Sequence, residues 1–279
     1  MRDLDAATRA LYEQIVATPE NHRLKEAIEG TVTVSENAGN LRPMVVLVPG
    51  IFYQDYPHTG ADGAMLRQVA DSLNLTFTVI PVNGTAGLDA AAKQINEWLE
   101  AADHLQPILL FSLSKGSAEV RHALTQSDAA RAFANVIAWV SVSGLPFGTP
   151  SFETYLSSSL RSAFIAIWFR FKRWRLDLIR DLLRHRPEAP CQVPVTLPLV
   201  QIVAFPEQQD LRDRRSRWLR RELAPLGPND GFAVITDLEQ LPGRIYPIRE
   251  TDHYLNRIDD LPARISRLIS VLIAEASAD

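Results

Sequence analysis

The sequence predicts an α/β fold: a mostly parallel central sheet with helices on both faces and a helical cap insertion. Three observations carry that expectation. Short apolar runs without polar alternation recur along the chain, as strands buried on both faces do. Helix-spaced apolar stripes lie between most of them. The stretch 146–195 departs from this, with helical patterns and no buried strand.

Taken in order, Leu4, Leu11, Ile15 and Val16, then Leu24 and Ile28, mark two short amphipathic helices split at Thr18-Pro19 and ended by Gly30. Met44 to Val48, closed by Pro49-Gly50, reads as a central strand. Residues 61–73 read as a helix, Leu75 to Val82 as a strand, and 86–102 as a helix with Leu88, Ala92, Ile95 and Leu99 on one stripe. Pro107 to Leu113 and Val136 to Val142 are further strands. Between Pro146 and the proline-rich return at Pro187, Pro190, Pro194 and Pro198 lies the cap. Pro198 to Phe205 and, more weakly, Arg244 to Ile248 complete the sheet, and a helix over 261–275 closes the domain. The chain therefore divides into a core part at 1–145, a cap or lid at 146–195 and a second core part at 196–279.

Composition narrows the function classes. The chain has 279 residues, 46% of them hydrophobic, enough to bury one sizeable core. A net charge of −4 gives no global attraction to polyanions, so no nucleic-acid partner is expected. The single cysteine, Cys191, forms no internal disulfide, and the charged start MRDLDAATRALYEQ lacks the apolar core of a secretory signal, so a cytoplasmic setting is expected. The longest apolar runs, such as AFIAIWF, fall well short of the ~20 residues a membrane span needs. No His, Cys or carboxylate cluster has metal-ligand spacing and no nucleotide loop is visible, so neither metal nor cofactor is expected.

The chemistry concentrates where the strand at Ile108 to Phe111 runs into Ser112-Leu113-Ser114-Lys115-Gly116 and then into a helix. A serine at such a strand-turn-helix junction is forced into a strained conformation, so residues two before and two after it must be small, as Ser112 and Gly116 are. A serine hydroxyl also needs a base, and the base needs a carboxylate to fix its tautomer. His253 follows the last strand and reaches the same sheet edge. His22, His104, His122 and His185 fall on helices or their ends, and His58, after the first strand, is at most a substrate contact. For the acid, Asp210 and Asp230 both follow the Pro198 to Phe205 strand. Asp230 is preferred because Asn229-Asp230-Gly231 is a turn that presents a carboxylate, whereas Asp210 reads as a helix N-cap. Asp252 is expected to anchor its own loop.

Ser112-Leu113-Ser114-Lys115-Gly116, Asn229-Asp230-Gly231 and Asp252-His253, in that order, resemble the α/β-hydrolases related to bacterial lipases. Val142-Ser143-Gly144 through Gly148-Thr149-Pro150 is similar to the segment leading into the lid of those enzymes. Two departures stand out: the usual first glycine of the motif is Ser112, and the usual HG dipeptide of the oxyanion loop is Pro49-Gly50-Ile51-Phe52. The resemblance implies a serine esterase with Ser114 as nucleophile, His253 as base and Asp230 as acid. It also implies oxyanion donors at the amides of Lys115 and Ile51, with Phe52 the alternative. The Lys115 side chain itself is expected to leave the helix start into solvent.

Residues 160–186 combine Phe164, Ile167, Trp168, Phe171, Trp174, Leu178 and Leu182 with many arginines. A lid over the active site is the favoured reading, ahead of a plain solvated helix and of membrane-surface contact. Phe52, Trp168 and Phe171 then become substrate contacts for a hydrophobic acyl or aryl group, and the expected partner is a small or lipid-like ester. Two alternatives stay open: a catalytically silent binder of a hydrophobic ligand, and a thioesterase or acyltransferase with the same triad.

Overall fold

The computed structural model describes residues 2–30, 41–55, 60–102, 106–172, 174, 177–183, 197–211, 213–255 and 258–278. Two helices, α1 (Arg2–Ala17) and α2 (Pro19–Glu29), precede strand β1 (Met44–Val48). Then come α3 (Ala64–Ser72), β2 (Phe77–Val79), α4 (Leu88–Ala101), β3 (Ile108–Leu113), α5 (Lys115–Ala123), α6 (Ala129–Ala132) and β4 (Val136–Val142). Between β4 and β5 lie α7 (Pro150–Leu156), α8 (Ser159–Lys172) and α9 (Asp177–Asp181). The chain returns through β5 (Leu199–Phe205), α10 (Arg214–Glu222), α11 (Ile235–Leu238), β6 (Arg244–Arg249) and α12 (Leu261–Ala276).

All six strands pair in parallel, in the order β2-β1-β3-β4-β5-β6. Alternate residues of one strand feed opposite cores. Val45 and Leu47 pack with α2, α3 and α12, whereas Val46 and Val48 pack with α4, α5 and α6. That two-sided burial is why these strands read as unbroken apolar runs. α1 covers the β5–β6 end of the second face through Leu11 and Ile15 against Val203, Phe205 and Ile245.

Element boundaries moved where backbone conformation, not hydrophobicity, sets them. α3 begins at Ala64 because Gly63 takes a left-handed φ of 75°, and β2 is only three residues long after the left-handed turn at Asn74. As an edge strand β2 has one neighbour to pair with. Because β2 and β3 lie on opposite sides of β1, a crevice opens between the carboxyl ends of β1 and β3, the place where parallel α/β sheets receive ligands. Ser112 pairs with Val48 there, and the loops after both strands meet.

Candidate active site

Ser114 sits between β3 and α5 with φ 49° and ψ −112°, a conformation that costs a non-glycine residue about 1–3 kcal/mol. Neighbouring backbone over-determines it. Ser114 N donates to Val142 O at 3.1 Å, and its own carbonyl accepts from Ser117 N and Leu145 N. Gly116 is required because a Cβ there would come within 2.6 Å of Val48 O and 2.8 Å of Pro49 O. The same contact shows how closely the β1 loop approaches the start of α5.

Ser112, the departure from glycine, is accommodated by its hydroxyl. Trp139 Nε1 donates to Ser112 Oγ at 2.8 Å, and Ser112, Ser117 and Ser141 form a buried hydroxyl chain with 2.9 Å steps. A side chain fits under the elbow because β4 supplies it with a donor.

His253 lies in the loop after β6, shaped by positive φ at Glu250 and Leu255 and by Asp252, whose Oδ1 accepts from Tyr254 N at 3.0 Å. Its Nε2 is 3.2 Å from Ser114 Oγ and its Nδ1 is 2.8 Å from Asp230 Oδ2. Histidine and aspartate are both buried. Asp230 is held by its other oxygen, which accepts from Phe232 N at 2.8 Å and Ala233 N at 2.7 Å. Both Asp230 oxygens face donors, so Nδ1 carries a proton, and in the neutral imidazole Nε2 is then the acceptor for the serine hydroxyl. Phe232 lies against the imidazole, ring centroids 4.8 Å apart. The start of α7 clasps this turn: Thr149 Oγ1 donates to Phe232 O at 2.6 Å and Ser151 Oγ to Gly231 O at 2.9 Å.

The other acid folds away. Asp210 Oδ2 accepts from Glu207 N at 2.7 Å within its own turn, and the N-cap of α10 is Asp213, which accepts from Ser216 N. The expectation that Asp210 caps a helix is therefore corrected: the helix starts three residues later than its charge pattern indicated. Of the remaining histidines, His22 is on α2 beside Glu26 and His122 on α5 bonds Asp89. His58, His104 and His185 lie outside the described residues.

Two solved structures are similar in fold. One is a metagenomic carboxyl esterase, with TM-score 0.64 and 20% identity, covering 84% of this chain and 76% of that one. The other is a Bacillus licheniformis lipase in its mature form, with TM-score 0.62 and 14% identity, covering 85% and 94%. This chain has the α/β-hydrolase fold. No protein-family model and no curated protein matches the sequence.

In this α/β-hydrolase fold the amide of Lys115 is the first orphan donor of α5, and Ile51 opens the turn after β1. The Lys115 side chain does not leave into solvent. It is 1% exposed and pairs with Glu119, one turn on. Burial pushes its ammonium down to about 7, with Asp181 of α9 pulling the other way. The correction has a plain cause: α5 runs beneath α9, where Ala118 packs with Leu178, Ile179 and Leu182. Glu119 at i+4 was the local signal for the pairing.

The end of α8 and Trp174 lie over the β1 loop. Phe52 stacks on Trp174 at 3.9 Å and meets Phe169 edge-on, while Trp168 packs against both Phe169 and Trp174. Phe171 does not join them; it is 82% exposed. Phe169, which no sequence pattern singled out, holds the buried position instead.

Proposed function

We propose that this protein is a serine hydrolase that cleaves carboxylic esters through an acyl-enzyme. The observation that carries the reading is the continuous relay Ser114 Oγ, His253 Nε2, His253 Nδ1, Asp230 Oδ2, with 3.2 and 2.8 Å steps at the carboxyl edge of a parallel sheet. Ser114 Oγ attacks the ester carbonyl carbon as its proton passes to His253 Nε2. The tetrahedral oxyanion accepts from the amides of Lys115 and Ile51, donors fixed before the reaction and worth a few kcal/mol of barrier. Collapse breaks the bond to the alkoxy oxygen, which leaves as the alcohol with the proton from His253. Water, deprotonated by the same imidazole, then attacks the acyl carbon, releasing the acid and returning the proton to Ser114.

The aromatic roof supports an acyl or aryl substrate. Phe52 and Trp168 belong to it, with residues 146–195 acting as the lid between core parts 1–145 and 196–279; residues 173, 175–176 and 184–195 of that span are outside the described residues. Phe171 is withdrawn from the substrate contacts because it faces solvent. Carboxyl esterase and lipase, the activities named for the two similar structures, are consistent with this reading. Among the described residues no helix is long and apolar enough to cross a membrane.

The test is hydrolysis of p-nitrophenyl esters of increasing acyl length. Wild-type protein turns them over, and Ser114→Ala and His253→Ala each lose about 10⁴ or more in kcat. Wild-type rates retained in Ser114→Ala would overturn the reading.

A further inference from the structure

Among the described residues, one fully buried charge lies close to the triad without belonging to it. Arg220, on α10, is fully buried, yet it lies behind the acid turn and not in the crevice. Its Nη2 donates to Asp5 Oδ1 of α1 at 2.7 Å and to Thr8 Oγ1 at 3.4 Å. Its Nη1 donates at 3.4 Å to the carbonyl of Asn229, the residue before Asp230, and Asn229 Nδ2 donates back to the Arg220 carbonyl. Among the described residues Nε has no hydrogen-bond partner.

Such a group is a poor stabiliser. A buried ion pair recovers its desolvation cost only with near-complete hydrogen bonding, and an apolar replacement is often as stable. Here the bonding is incomplete, so folding stability alone does not account for the arginine. Its electrostatic surroundings point to the triad. Burial pushes the guanidinium below its ordinary value, while Asp5 first, then Asp210 and Asp230, pull it back up. Its bond to the Asn229 carbonyl ties it to the residue next to the carboxylate that holds His253, and it stays charged at any working pH.

We propose that Arg220 is a positioning residue for the Asp230–His253 pair, and that through Asp5 it couples the N-terminal helix α1 to the triad. This rests on the hydrolase reading above. The guanidinium fixes the Asn229 carbonyl and sets the net charge behind the acid, and Asp5 fixes the guanidinium. Asp5 Oδ1 also accepts from Gln208 N at 3.1 Å, which joins the turn after β5 to the same anchor. Among the described residues, the charged groups packed around this assembly are Asp5 and Arg9 on α1, Glu207 and Asp210 after β5, Asp213 and Arg215 at the start of α10, Arg249 at the end of β6, and Asp252 beside the histidine.

Two variants that break the same contact separate this role from simple structural support. Arg220→Met removes a positive charge and leaves the carboxylates in excess, which favours the protonated imidazole. Asp5→Asn leaves the guanidinium less compensated, which favours the neutral one. The readout is the pH dependence of Ser114 labelling by a fluorophosphonate, which needs a neutral base. Arg220→Met moves the acid limb of the labelling rate to higher pH and Asp5→Asn moves it to lower pH, each by about half a unit, and Arg220→Lys restores most of the wild-type limb. Should Arg220→Met fail to fold, the downward displacement in Asp5→Asn decides alone, since that carboxylate is 21% exposed and tolerates hydration. Limbs that coincide with wild type, or that move in the same direction, overturn the coupling while leaving the triad intact. Absence of labelling in wild-type protein at every pH overturns the triad reading and this inference with it.

Discussion

At the scale of single residues, the sharpest distinction is between two aspartates on the same side of the sheet. Asp230 spends one oxygen on backbone amides and the other on His253 Nδ1, whereas Asp210 closes its own turn. Asp230→Asn places an amide against Nδ1, which selects the wrong tautomer, and kcat falls about 10⁴-fold. Asp210→Asn costs less than about tenfold in kcat, because Asp210, though buried, spends its carboxylate on Glu207 N and makes no bond to His253. Steady-state kinetics on purified variants check the ranking, and equal losses would reassign the acid. Asp230 was legible because Asn-Asp-Gly is a local turn and the order Ser, Asp, His is a property of the chain. Lys115 was misread because its surroundings are not local: α9, which packs on α5, is carried by residues far along the sequence. Ser112 was legible only as an anomaly, since its hydrogen-bond donor is Trp139, on the next strand.

At the scale of elements, the strands were legible because each is buried on both faces. α8 was legible as a helix but not in its facing. Leu160, Phe164, Ile167 and Phe171 form one apolar stripe, and Ile165, Trp168 and Phe169 form another, so periodicity alone selects neither. In the fold the first stripe is exposed and the second packs on Phe52 and Trp174. Two phenylalanines two residues apart therefore differ in consequence. Phe169→Ala destabilises by about 3 kcal/mol, the cost of emptying a buried aromatic site, while Phe171→Ala stays within about 0.5 kcal/mol of wild type. Denaturant midpoints measure both, and equal effects would mean that α8 packs through its other face.

At the scale of the whole molecule, the parallel sheet with its covered faces followed from the alternation of patterns, while the tie from α1 to Arg220 behind the acid turn did not, because Asp5 and Arg220 are 215 residues apart. The buried Lys115 has a global consequence of its own. Its ammonium is held at about 7 in the fold by burial, whereas in the unfolded chain it keeps its proton to about pH 10.4. Between those values unfolding takes up a proton, so stability rises with pH across that window. Urea titrations at about pH 7 and about pH 9.5 show that rise in wild-type protein and lose it in Lys115→Met/Glu119→Leu; parallel behaviour of the two proteins would refute the assignment. The central claim, a serine activated by the imidazole beside it, is tested most directly by peptide mass spectrometry after fluorophosphonate treatment. The expected result is an adduct on the peptide carrying Ser114, absent in Ser114→Ala and strongly slowed in His253→Ala. An adduct on another residue, or undiminished labelling without His253, would contradict it.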